Sequence, residues 1–303
     1  MVKNFLILVL IFAFANSKSL TPNDVYSQAV LIEHEVEYLM NYYDIKHDDN
    51  KLKKILYVNT KLKPRNVLQK TYEILIKINI LRDNHDLPII EPINMPPTAN
   101  LDPNLVYEQT QRILTELHIF KVRKGIKIPK AKVQTFKDKT PLDVFNLLSL
   151  ISISFDILNK SEVTPSYVFG ENLRVYDDIG LILDHLNIKD NTIPAKKNLK
   201  ATPNDTFNTA MKILEKIRQL QIDAGIDFVD FNDFRKKVQT TGEVFSITQM
   251  IMSELQTIKA YLSIDNITPA AARYKTKTPS EVDQLMSWNL RKLELISSLR
   301  VRR

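Results

Sequence analysis

One short string recurs along this chain: Thr21-Pro22-Asn23-Asp24-Val25-Tyr26, Thr140-Pro141-Leu142-Asp143-Val144-Phe145 and Thr202-Pro203-Asn204-Asp205-Thr206-Phe207. Looser copies begin at Lys63-Pro64, Asp102-Pro103, Thr164-Pro165, Thr240-Thr241 and Thr278-Pro279. With positions 22, 64, 103, 141, 165, 203, 241 and 279 as markers, the spacings are 42, 39, 38, 24, 38, 38 and 38 residues. Self-similarity at a fixed period is the signature of a repeat architecture. It constrains the fold more than any local propensity does.

The string reads as a helix start. Thr or Asp before Pro is an N-cap, whose side-chain oxygen accepts an otherwise unpaired backbone N–H. Pro at the first helical position gives up an N–H that had no partner, and its φ is already helical. Asp24, Asp143, Asp205, Glu243 and Glu281 stand three residues after the cap. There a carboxylate meets the positive end of the helix dipole, and the Glu copies can close a capping box. The other end is as regular. Twenty-two residues past the marker stand Asp44, Asp86, Gly125, Asn187, Gly225 and Ser263, followed by Ile45, Leu87, Ile126, Ile188, Ile226 and Ile264. Gly, Asn and Asp tolerate the left-handed conformation that closes a helix, and the apolar residue beyond folds back on the last turn. Between start and stop runs a helical apolar stripe, such as Phe207, Met211, Leu214, Ile217 and Leu220, or Tyr107, Ile113, Leu114, Leu117 and Phe120.

The expected fold is therefore all-α, with eight repeats of about 38 residues, each one capped helix followed by a Pro- and Lys-rich return segment. Lys127 to Lys139 and Lys189 to Ala201 are such segments, and Leu87 to Leu101, with four prolines, cannot be a regular helix. Asp230 to Gln239 has the composition for a short helix of its own. Apolar residues such as Ile126, Ile128, Val133 and Phe136 predict that the return segments pack on the helices. A helix of this length is about 31 Å long, and fifteen extended residues reach about 50 Å, enough to run back along it. The fourth connector, Asn159 to Val163, is too short for that, so helices four and five are expected as antiparallel neighbours. The chain divides there into four-unit halves, 20–160 and 161–303, forming two bundles or one solenoid.

Met1 to Ser19 reads as an export signal: Lys3, an apolar run from Phe5 to Phe14, then Ala13-Phe14-Ala15, which places cleavage near residue 15. The run is too short for a bilayer span, which takes about 20 residues. With no cysteine, neither a disulfide framework nor a lipoprotein anchor is open to the chain. Lys, Asn and Ile richness with only five Gly predicts a bacterial export product, periplasmic or, as the alternative, secreted. A formal charge of +7 is modest for 303 residues and does not point to nucleic acid.

Catalytic constellations are not visible. The five histidines, His34, His47, His85, His118 and His185, show no metal-ligand spacing. Glu33-His34-Glu35 with Glu37 is read as a solvated acidic helix face. No phosphate loop, dinucleotide loop or serine elbow is present, and most acids are assigned to helix starts or exposed faces. No catalytic, cofactor-binding or metal residue is assigned, and no cofactor is expected. Lys121 to Lys139, holding eight Lys/Arg against one Asp, together with Arg235-Lys236-Lys237 and Arg300 to Arg303, offers basic connectors toward an anionic surface.

Through the Thr-Pro-x-Asp-Val-Phe/Tyr string, the chain resembles a loosely defined group of exported bacterial proteins with T-P-x-D-V-[FY] helical repeats. That resemblance implies architecture and no activity. The 38-residue period and missing Trp, Leu-Gly and Tyr markers separate it from tetratricopeptide repeats. Repeat arrays commonly act by offering extended surfaces. The expected function is thus a non-catalytic periplasmic scaffold of a large envelope assembly, specifically a disk scaffold of the bacterial flagellar motor. Other envelope proteins or further copies of the chain are its expected partners. The alternatives are a binding module for cell-wall glycan or lipid, and a hydrolase with carboxylates assembled across repeats.

Overall fold

The computed structural model describes residues 19–46, 60–91, 94–98, 101–127, 132–232 and 240–300. The leader up to Lys18 with its cleavage point, His47, Ile128, Pro129, most of the anticipated 230–239 helix and residues 301–303 lie outside them. Eight α-helices and no strand occur among the described residues: α1 Pro22–Tyr42, α2 Pro64–Asp83, α3 Pro103–Arg123, α4 Pro141–Leu158, α5 Pro165–His185, α6 Pro203–Ala224, α7 Thr241–Tyr261 and α8 Pro279–Glu294. Each starts at its marker residue.

Starts and stops follow the local chemistry. The backbone N–H groups of Thr21, Thr140, Thr202, Thr240 and Thr278 donate to Asp24, Asp143, Asp205, Glu243 and Glu281 at 2.8–3.0 Å. Asp therefore closes the reciprocal bond as well as Glu does. At the stops, Asp44, Asp86, Gly125, Asn187, Gly225 and Ser263 have φ between +53° and +72°. The N–H of the next residue donates to the carbonyl five residues back at 2.8–2.9 Å in all six, the Schellman closure. Lys160 adds a seventh such stop that the sequence had not marked, with φ +52° and Ser161 N–H donating to Asp156 at 3.2 Å.

Packing follows one scheme twice. α1 and α2 each pack on both α3 and α4, while α5 and α6 each pack on both α7 and α8. The expected pairing of α4 with α5 does not occur, since α4 belongs wholly to the first set and α5 to the second. A short connector fixes only the distance between two helix ends. The left-handed stop at Lys160 and the buried Val163 turn the chain outward into the other set. The sets meet where α2 packs on α7, and where Met95 and Thr268 exchange two backbone hydrogen bonds of 2.9 Å between connectors.

A clasp of one lysine and two aromatic rings appears once in each set. Lys139 lies over Tyr26 and Phe136, its N–H donates to Asn23, and the rings meet edge-on at 4.9 Å. Lys277 lies over Phe169 and Tyr274, its N–H donates to Ser166, and those rings meet edge-on at 5.1 Å. The return segments are otherwise less packed than expected. Ile126 is buried, but Val133, Ile193 and Leu199 stand out in solvent. α4 is apolar and long enough to cross a membrane by composition, yet Phe145, Leu148, Ile151 and Phe155 are buried.

Candidate functional site: buried ion-pair seams and a cleft between the helix sets

Many acids are not on exposed faces, contrary to expectation. Glu35, Glu73, Glu171, Asp178 and Glu254 are all buried. For Glu35, Asp178 and Glu254 the reason is a second register hidden in the repeat, an acid thirteen residues past the marker and a partner eighteen past it on another helix. Glu35 on α1 pairs with Lys121 on α3, and Asp178 on α5 pairs with Lys259 on α7 at 2.7 Å. Glu116 on α3 pairs with Arg82 on α2 at 2.6 Å, and Glu254 on α7 accepts from Gln221 on α6 at 3.0 Å. Burying an unpaired charge is costly, so each acid is held opposite a cation or an amide. The spacing is present in the sequence, as a packing register and not as a catalytic motif.

The Glu33–Glu37 stretch is corrected accordingly. His34 and Glu37 remain half-exposed at 3.7 Å, whereas Glu35 turns inward to Lys121, with His118 3.6 Å away. Among the described residues no group of three His, Asp or Glu side chains is arranged to hold a metal.

The densest seam joins the sets. Glu73 on α2 accepts from Lys70 at 2.6 Å, from Ser152 on α4 and from Ser246 on α7 at 2.9 Å. Lys77 donates to Asp156 at 2.7 Å and to the Ser152 carbonyl at 3.0 Å. Burial works against the Glu73 carboxylate, but Lys70 and Lys77 prevail and bring it down to about 2. For Asp156 burial prevails over Lys77 and pushes it up to about 6. Acids with separated pKa values can divide acid and base roles; here the two share Lys77, and neither lines the cleft described below. Further along α2, Arg65 donates to both Glu254 oxygens at 2.9 and 3.0 Å and to Asp227 at 3.1 Å. Asn66 adds a bond to Glu254 at 3.0 Å.

A cleft of about 460 Å³ opens beside this seam, between α2, the connector at 89–91, α5, α7 and the strap 270–275. Leu75, Ile76, Ile90, Tyr72 and Tyr167 give it an apolar lining, and Glu171, Arg174 and Gln249 supply polar groups. Its size falls in the range of small-molecule pockets, roughly 300–1,000 Å³. A smaller hollow of about 340 Å³ is lined by His34, Glu35, Glu37, Tyr38, Asn41, Lys132 and Gln134. No protein-family model matches this chain, and it matches no curated protein and no solved structure.

Proposed function

We propose that this protein is a non-catalytic scaffold that holds a place in a large assembly of the bacterial envelope. Its units are eight repeats of about 38 residues, gathered as halves 20–160 and 161–303. The observation that carries the reading is where the charged and recurring residues go. The recurring ones form helix starts and helix stops, and the acids thirteen residues past the marker pair between helices, in one scheme used twice. Such a body presents long rigid surfaces, and exposed Val133, Ile193 and Leu199 on its connectors are available to a partner. The packing of α1–α4 and of α5–α8 favours two bundles over a one-dimensional stack, in which each unit would touch only its chain neighbours.

Export to the periplasm, a flagellar-motor disk as the specific assembly, other envelope proteins as partners and basic connectors toward an anionic surface complete the proposal. The likeness to exported T-P-x-D-V-[FY] repeat proteins belongs to it and supplies only fold-level association. Deleting residues 203–240, one whole unit, should abolish cellular function and retention in crosslinked envelope complexes. Single replacements of exposed Asp, Glu or His should leave both intact. An exposed acid or histidine whose conservative replacement kills function without disturbing folding or localisation would favour the hydrolase instead.

A further inference from the structure

The two helix sets serve as internal controls for each other, and they differ at one buried amide. Gln111 on α3 and Gln249 on α7 hold the same register, eight residues past their markers. Gln111 donates its amide to the Gln28 side-chain oxygen, and Gln28 in turn donates to the Tyr107 hydroxyl at 3.3 Å. The position matching Gln28 is Glu171, and its carboxylate is turned to Arg174 at 2.7 Å. The position matching Tyr107 is Phe245, which has no hydroxyl. Gln249 is 2% exposed, and neither its Nε2 nor its Oε1 has a partner. Among the described residues it is the one buried side-chain amide with both atoms unpaired. It lines the cleft between the sets.

An unpaired buried polar group is expensive, and a buried donor and acceptor together on a residue that lines a cavity call for a ligand carrying the complement. The first set shows what that complement is, since Gln111 is matched there by another carboxamide. The cleft wall of Leu75, Ile76, Ile90, Tyr72 and Tyr167 adds room for an apolar side chain. The strap is shaped to fit. At Gly170 a Cβ would lie 2.7 Å from the Ala272 carbonyl, so only glycine lets residues 270–275 settle this close to α5. The matching residue in the first set is Ser27, whose hydroxyl donates to the Asn23 carbonyl. Along Ala271 to Lys275 the N–H groups make no backbone–backbone hydrogen bond among the described residues.

We propose that this cleft binds a short peptide, one peptide group paired with the Gln249 amide and its apolar side chain seated against α2. The inference names what one surface of the scaffold recognises, and rests on that reading only for the source of the peptide. A chain that binds the peptide unit but fails the repeat-deletion test keeps the site and loses the scaffold.

The test is an NMR titration of the whole mature chain with N-acetyl-leucine N-methylamide, one peptide unit in capped form. Saturable shifts are expected at the Gln249 side-chain amide and at the backbone amides of Ala271 to Tyr274. The matched methyl ester, lacking one N–H, should bind several-fold more weakly. Gln249→Met, which keeps volume and removes both polar atoms, should weaken binding about tenfold or more. It should also leave the melting temperature unchanged or raised, whereas Gln111→Met, which strands Gln28, should lower it. Gly170→Ala, pushing the strap off α5, should weaken binding without moving the Gln111 resonances. No saturable shift in the wild-type chain, equal binding by Gln249→Met, or a melting temperature lowered by Gln249→Met as by Gln111→Met would each overturn the proposal. The last outcome would mean that Gln249 is a solvated structural residue.

Discussion

α2 and α6 hold the same place in their sets, each packed on the third and fourth helix, yet they have little else in common. α2 has 16 of 20 residues buried and α6 has 8 of 22, so the first is enclosed on all sides and the second keeps a solvated face. The register shows how the sequence accommodates this. Lys70, Glu73 and Lys77 of α2 correspond to Thr209, Lys212 and Lys216 of α6. The same slots carry a buried ionic network in one helix and, in the other, a threonine and two lysines outside the core. α7 is the matching case, with 15 of 21 residues buried against 6 of 21 in its counterpart α3. The cause is the packing of α2 on α7, the helix-to-helix contact between the sets among the described residues, which converts two peripheral helices into the joint of the molecule. A repeat therefore supplies the frame, and departures from it mark where the sets meet and where the cleft lies.

The largest effect expected from this comparison is at Glu73. Glu73→Gln leaves Lys70 and Lys77 short of a counter-charge in the interior, and breaking a buried pair from one side costs about 3–5 kcal/mol. The corresponding change on α6, Lys212→Gln, should stay within about 0.5 kcal/mol. Urea unfolding of both variants measures the difference. Acid titration adds a sign test. Glu73 sits at about 2, below its usual 4.5, so its contribution is complete above 4.5 and is lost as pH falls toward 2. Asp156, raised from 3.8 to about 6, acts oppositely, favouring the folded chain as pH falls from 6 to 3.8. Glu73→Gln should flatten the limb below 4.5.

A smaller effect separates two helix starts that look alike in sequence. Thr140 accepts from the Asp143 N–H and donates to its carboxylate, whereas Thr164 makes no side-chain cap bond, and Tyr167 stands where the acid would be. Thr140→Ala should cost about 1 kcal/mol and Thr164→Ala close to nothing. Equal shifts in the melting temperature would show that the Thr-Pro string stabilises by Pro alone.

Helix starts and stops were readable because each depends on residues within one turn, so Thr140, Asp143 and Gly225 carry their own explanation. The Glu35–Lys121 and Asp178–Lys259 pairs were visible as a register but misread, since an acid on a helix is ordinarily solvated. The packing of α2 on α7 had no local signal, because it arises between units far apart in the chain. The failed pairing of α4 with α5 has the same origin: connector length limits distance and says nothing of which face is buried. The cleft had no local signal either, since its walls come from α2, α5, α7 and the strap 270–275, far apart in the chain, and in the sequence Gln249 is an ordinary helix residue.

The α2–α7 joint should make one cooperative body of the two sets, and unfolding the chain in urea with one reporter in each set measures this. Trp288, the chain's single tryptophan, lies on α8 and reports the second set. Because the chain has no native cysteine, a fluorophore on Glu108→Cys, an exposed site on α3, reports the first. Coincident transitions with one midpoint and one slope are expected. Two separated midpoints, the Trp288 signal moving while the α3 label stays native or the reverse, would contradict the account.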